Sequence, residues 1–225
     1  MLVEPTLDAR LLALDEALRT ALATRLAATA RPDAETDALA LRRLLAGADA
    51  AQAALIKAVW GRIAAATGSL VVHGPAAALL AADRHGLAFQ TVADADAALT
   101  AVDAGARALI DLSPRPWWGR LLARPALRVV AALPDDLRGL PRALMIAREP
   151  GGPTGDDRTF WVTDSATPDA RIVDALTGCG LAARPLAASA GLKLFMLAGY
   201  VQAEDGRLSA APGALRGVIG AAPVH

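Results

Sequence analysis

The chain has 225 residues, with 23 basic and 23 acidic side chains that cancel, so it carries no electrostatic footprint for nucleic acid. An apolar fraction of 54%, much of it alanine, is enough to build one sizeable domain or two to three small ones. No apolar run is long enough to span a bilayer, Met1–Arg10 shows no secretory pattern, and the single Cys179 excludes an internal disulfide, which together point to the cytoplasm.

Residues 1–69 read as helical. Leu7, Leu11, Leu14, Leu18, Leu22 and Leu26 recur at steps of three and four, predicting a helix from a Thr6 cap to about Ala30. Arg31-Pro32 breaks it, and a second helix is expected from Asp33 to Gly47, with Leu41, Leu44 and Leu45 inward. Asp49 and Gln52 have the spacing of a capping box and announce a third helix through Leu55, Ile56, Val59, Trp60 and Ile63 to Gly68. Three such stripes need partners, as in a small bundle or half of an intertwined dimer.

From Leu70 the period changes. Leu70–His73 and Leu87–Val92 read as strands flanking a helix from Pro75 to Arg84, with Gly86 as its stop. Asp94 caps a helix to Asp103, Gly105 ends it, and Ala106–Leu112 reads as a buried strand. A short helix at Trp117–Leu122 and a strand at Leu127–Leu133 complete an alternation that predicts a partly parallel sheet with covering helices. Pro134–Pro141 is the expected boundary. Beyond it come strands at Ala143–Ala147 and Thr159–Thr163 around a Pro-, Gly- and Asp-rich loop. The loop lacks the Gly-Lys-Ser/Thr of a phosphate cradle. A helix at Ala170–Leu176, strands at Leu181–Ala187 and Leu192–Val201, and a last strand near Val218 follow.

Pro153-Thr154-Gly155-Asp156-Asp157-Arg158-Thr159 resembles the segment that joins the catalytic and ACT-type regulatory domains of bacterial prephenate dehydratases. Val92–Leu112, Leu127–Pro134 and Val218–Pro223 resemble further stretches of that family, and the helical part is similar to the all-helical class of chorismate mutases through Leu14-Asp15-Glu16, Leu18, Leu22, Arg25 and Leu55–Thr67. The resemblance implies an α+β, multidomain chain: a helical chorismate mutase-like bundle at 1–69, an α/β prephenate dehydratase-like segment at 70–140, and an ACT-like βαββαβ domain at 141–225.

Rearrangement of chorismate to prephenate has no covalent or proton-transfer step, so the protein must hold a dianion with several cations, arginine above all. Resemblance to the mutases implies Arg25 as a carboxylate-binding catalytic residue, with Asp33 and Asp37 facing the substrate hydroxyl. Arg10 and Lys57 are candidates to supply further cations, and Arg142 is the remnant of the dehydratase Thr-Arg-Phe motif. Its Thr falls on Pro141, so dehydratase chemistry is expected to be absent. Arg42-Arg43 read as a solvated face, Trp117-Trp118 as packing, and His73, His85 and His225 as too scattered for a metal site. The reading therefore includes no cofactor and no metal. The expected partners are a small molecule (chorismate, prephenate or an aromatic amino acid) and a second copy in a homodimer, with no nucleic acid or membrane. Two functions stay open: a chorismate mutase, or a non-catalytic ligand-binding or regulatory protein descended from a bifunctional enzyme.

Overall fold

The computed structural model describes residues 8–28, 34–66, 68–113, 115–136, 139–148 and 151–225. The chain divides into two compact units, Met1–Arg31 and Pro32–His225. The first of the three N-terminal helices stands in the first unit, and the next two stand in the second.

The first unit is built around α1 (Ala9–Ala27), whose start is capped by Asp8 through a 2.8 Å bond from the Arg10 amide. The expected Thr6 cap lies outside the described residues. No residue of α1 is buried: of the leucine stripe expected to pack inward, Leu11, Leu14, Leu18 and Leu26 are exposed and Leu22 is half-buried, while Leu7 lies outside the described residues.

In the second unit, α2 (Ala34–Leu45) buries Ala38 and Leu41 but leaves Leu44 in solvent, against expectation. The capping box forms as its spacing predicts: the Gln52 amide donates to Asp49 Oδ1 at 2.8 Å and the Asp49 amide to Gln52 Oε1 at 3.1 Å. It starts α3 (Ala50–Ala66), where Leu55 and Val59 are exposed rather than inward. The face that does pack meets α4 (Pro75–His85) at Gly61, where a Cβ would collide with the Arg84 carbonyl. This glycine lets the two helices cross at backbone contact.

Nine strands among the described residues make one sheet, in the order β2-β1-β3-β5-β4-β9-β6-β8-β7. They are β1 (Leu70–His73), β2 (Gln90–Thr91), β3 (Arg107–Asp111), β4 (Arg128–Leu133), β5 (Ala143–Ala147), β6 (Asp157–Thr163), β7 (Ala183–Ser189), β8 (Leu192–Ala198) and β9 (Arg216–Pro223). β1 pairs in parallel with β2 and β3, as the strand–helix alternation implies. The strand expected over Leu87–Val92 shrinks to two residues, with Leu87 in solvent. β5 and β6 are not hairpin partners, because β4 and β9 lie between them and the Pro-Gly loop crosses over.

Period-two alternation sorts the core to the two faces of this sheet. Val71, Ala108, Ile110, Leu144, Ile146, Phe160, Val162, Leu194 and Met196 point to one face, beneath α5 (Ala95–Asp103) and a 3-10 helix at Trp117–Ala123. Both tryptophans of that turn are buried there, as packing residues. The alternate residues Leu70, Val72, Leu109 and Met145 meet α4. Trp161, Phe195 and Leu197 meet α6 (Asp169–Gly178). From β6 onward the elements run strand, helix, strand, strand, 3-10 turn (Gly206–Ala210), strand, with spatial order β9-β6-β8-β7. That is the βαββαβ order with its second helix reduced to one turn.

Candidate functional site

The densest polar arrangement joins α2, α3 and α4 to three loops around Asp135, Thr154 and His225. Asp135 is its centre. Lys57 Nζ of α3 lies 2.7 Å from Asp135 Oδ1, and Arg84 Nη2 of α4 lies 2.9 Å from Oδ2. Burial alone would push this carboxyl up, but the charges of Arg84 and Lys57 hold it below the ordinary aspartate value. Lys57 also donates to the His225 carbonyl at 3.0 Å, while the His225 amide donates to the Asp135 carbonyl at 3.0 Å.

The His225 imidazole is largely buried, its Nδ1 has no partner, and its pKa is lowered to about 4. Burial is the main cause; Arg84, Lys57 and Arg42 add to it and Asp135 opposes it. One turn along α3 from Lys57, the Trp60 indole donates to Asp37 Oδ2 at 2.9 Å, tying α3 to α2.

Arg42 fastens α2 to the Pro-Gly loop. Its Nη1 donates to the Thr154 carbonyl at 2.7 Å, and its Nη2 lies 3.1 Å from Thr154 Oγ1 and from the carbonyls of Asp156 and Val224. The solvated face expected of Arg42-Arg43 therefore applies to Arg43 alone. The loop is shaped from inside by buried Asp157, which accepts from the Thr154 amide at 2.8 Å and from the Thr154 hydroxyl at 2.7 Å. The segment that resembles the dehydratase junction thus acts as a folded cleat for a helix of this chain.

The C-terminal ends of β1 and β3 are where a parallel α/β sheet offers a ligand crevice beside a helix N-terminus. Here the Asp111 carboxylate fills that place, accepting from the Ala76 amide at 3.1 Å and from the Ala77 amide at the start of α4. Gly74, at φ 98°, permits the approach, since a Cβ there would strike the Asp111 carboxylate. The Trp117 indole closes the same end by donating to the Asp111 carbonyl at 2.6 Å.

Of the residues nominated from sequence, Asp37 and Lys57 come together in the polar cluster, each already engaged by the protein. Arg10 is exposed and Arg25 half-buried on α1, in the other unit. Arg142 is exposed at the foot of β5, its backbone bonded to Leu112 and Leu133. Asp33 lies outside the described residues. Arg42, Arg84, Asp111, Asp135 and His225 were not nominated. Their partners are dozens of positions away, and only the Asp135-Asp136 pair between two prolines marks the place in sequence. Among the described residues no cluster of three His, Cys, Asp or Glu could hold a metal, and no helix is long and apolar enough to cross a membrane.

No protein-family model matches this sequence, and no curated protein matches it. Among solved structures the chain is similar to GqqA, described as a novel type of quorum-quenching acylase, at 16% identity and a TM-score of 0.48, over 69% of this chain and 95% of that one. It also bears a distant structural similarity to the prephenate dehydratase of Staphylococcus aureus subsp. aureus Mu50, at 10% identity and a TM-score of 0.44, over 68% of this chain and 99% of that one. Matches this remote assign no activity to any residue.

Proposed function

We propose that the chain is a non-catalytic ligand-binding or regulatory protein of aromatic amino-acid metabolism, on a scaffold that has lost chorismate mutase and prephenate dehydratase chemistry. One observation carries this reading: the cation and the acid nominated in α2 and α3 are spent inside the protein. Lys57 is shared between Asp135 and the His225 carbonyl, and Asp37 is held by the Trp60 indole. A mutase must keep several cations free for a dianion, and drawing Lys57 away would take from the largely buried Asp135 carboxylate one of the two cations, Lys57 and Arg84, that pair with it. The ligand class that the sequence resemblance suggests is an aromatic amino acid or a related carboxylate such as chorismate or prephenate.

Chorismate absorbance followed with purified protein, beside an Arg25→Ala variant, tests the catalytic half. The expected decay equals the uncatalysed rate for both proteins, whereas faster decay that Arg25→Ala abolishes would restore the mutase reading. Titration calorimetry with phenylalanine, tyrosine, tryptophan, chorismate and prephenate tests the binding half. Saturable heat with at least one of them is expected, and none with any would end the binding proposal.

A further inference from the structure

Arg158 is a buried cation without a paired anion. It is the second residue of β6, is 6% exposed, and points to the same face of the sheet as Phe160 and Val162. Its Nη2 donates to the Asp136 carbonyl, while its Nη1 is buried with no partner. None of the ion pairs among the described residues includes it. Burial lowers its pKa and Arg184 adds to this, outweighing the more distant attraction of Asp136, Asp135 and Asp156. Proteins pair the charges they take out of water, so a guanidinium held by one neutral carbonyl calls for an anion.

Its surroundings leave room for one. Across the sheet Arg158 faces Ala222 of β9, and the register of β6 with β8 sets it against Ala198, so a small side chain flanks it on either side. Ala198 is exposed and ends β8, which opens this end of the face to solvent. Arg184 of the edge strand β7 stands opposite Met196 and so lies on the same face, exposed, two strands from Arg158. With strands about 4.8 Å apart, two arginine side chains can reach a common point over the alanines. Two like charges at an open sheet end, one with a free buried donor, match an oxyanion, whose oxygens accept from the guanidinium fork.

We infer that Arg158 and Arg184 form a binding site for a small oxyanion, a carboxylate or a phosphate, with Arg158 Nη1 as the deep donor and Arg184 at the mouth. The site stands apart from the ligand reading above, since it takes an oxyanion of either origin.

Titration calorimetry of the full-length protein in a buffer free of phosphate and carboxylate tests it, with inorganic phosphate in one arm and 3-phenylpropionate in the other. Saturable binding is expected in at least one arm. Phosphate alone would name a phosphoryl ligand, and 3-phenylpropionate an organic acid. Arg158→Met should weaken that binding about tenfold or more, and Arg184→Gln, a surface change, about two- to fivefold. No saturable binding in either arm, or binding that both variants leave intact, would overturn the proposal.

Stability separates a binding arginine from a structural one. Without an oxyanion, Arg158→Met removes an unpaired buried charge, so its melting temperature should equal or exceed that of wild type. The bound probe should raise the melting temperature of wild type and leave Arg158→Met unmoved. An Arg158→Met protein that melts far below wild type, or fails to fold, would make Arg158 a strut for the Asp136 loop and refute the site.

Discussion

Replacing Gly61 by alanine sets two opposed effects against each other on one helix. In the interior of α3 an alanine is worth about 1 kcal/mol over glycine by helix propensity. Against this, the new Cβ would fall inside contact distance of the Arg84 carbonyl, a backbone atom that cannot swing aside. Overpacking of this kind costs about 1–3 kcal/mol, occasionally more. Moving α3 off α4 also weakens the 3.1 Å bond between His85 Nδ1 and the Gly61 carbonyl, worth about 1 kcal/mol. The clash wins, and the variant should lose about 2 kcal/mol, a fall in melting temperature of roughly 5 °C for a unit of this size. Gly178, at the end of α6, has nothing within reach of an added Cβ, so Gly178→Ala should be neutral or slightly stabilising. Calorimetric melting of both variants beside wild type makes the comparison. A Gly61→Ala protein as stable as wild type would mean that α3 does not cross α4 at backbone contact, and the polar cluster built on that crossing would go with it.

Acid should destabilise the protein through two largely buried histidines. His85 and His225 titrate at about 4 when folded, below the 6.5 of the free side chain, so below pH 6.5 the unfolded chain takes up protons first. Their stabilising contribution is complete above pH 6.5 and lost as the pH falls towards 4. For His85, where burial is the first cause, the loss is about 3 kcal/mol; His85→Asn, which keeps a donor for the Gly61 carbonyl, should flatten the decline in urea midpoint between these pH values, and an unchanged slope would refute the assignment. Asp135→Asn should cost more than Lys57→Met in thermal melting, because the first strands two buried cations and the second leaves Arg84 on Asp135; the reverse order would show that Asp135 is not the centre of the cluster. Prephenate at neutral pH should yield no phenylpyruvate above the buffer control, since Pro141 offers neither a hydroxyl nor an N–H. Enzyme-dependent phenylpyruvate that survives replacement of Arg142 would show that the motif has been misplaced.

Local chemistry made much of this fold legible. Asp49 with Gln52, Asp94 before α5 and Gly86 after α4 each mark a helix end through bonds made within a few residues. The short, largely apolar or β-branched runs of β3, β5, β6 and β8 mark strands that are buried on both faces. What stayed hidden depends on contacts far apart in sequence. Leu44, Leu55 and Val59 follow a helical period as well as Leu41 does, yet only Leu41 has a neighbour to cover it. Arg42 looks like any charge on a polar face until the Thr154 loop arrives beside it. Asp111 ends a strand in sequence, and nothing local says that its carboxylate reaches the first turn of α4.

The position of β9 constrains how the protein can be made. It comes last in chain order among the nine described strands, yet it stands between β4 and β6 and is the seam that turns two partial sheets into one. The seam is narrow: Val129 pairs with Gly220, and a Cβ at Gly220 would strike the Val129 backbone. Until residues 216–223 have left the ribosome, a nascent chain carries two unfinished sheets, each with a bare inner edge able to recruit strands from its neighbours. A chain cut short before Arg216 should accumulate as aggregate, while its full-length counterpart remains dispersed.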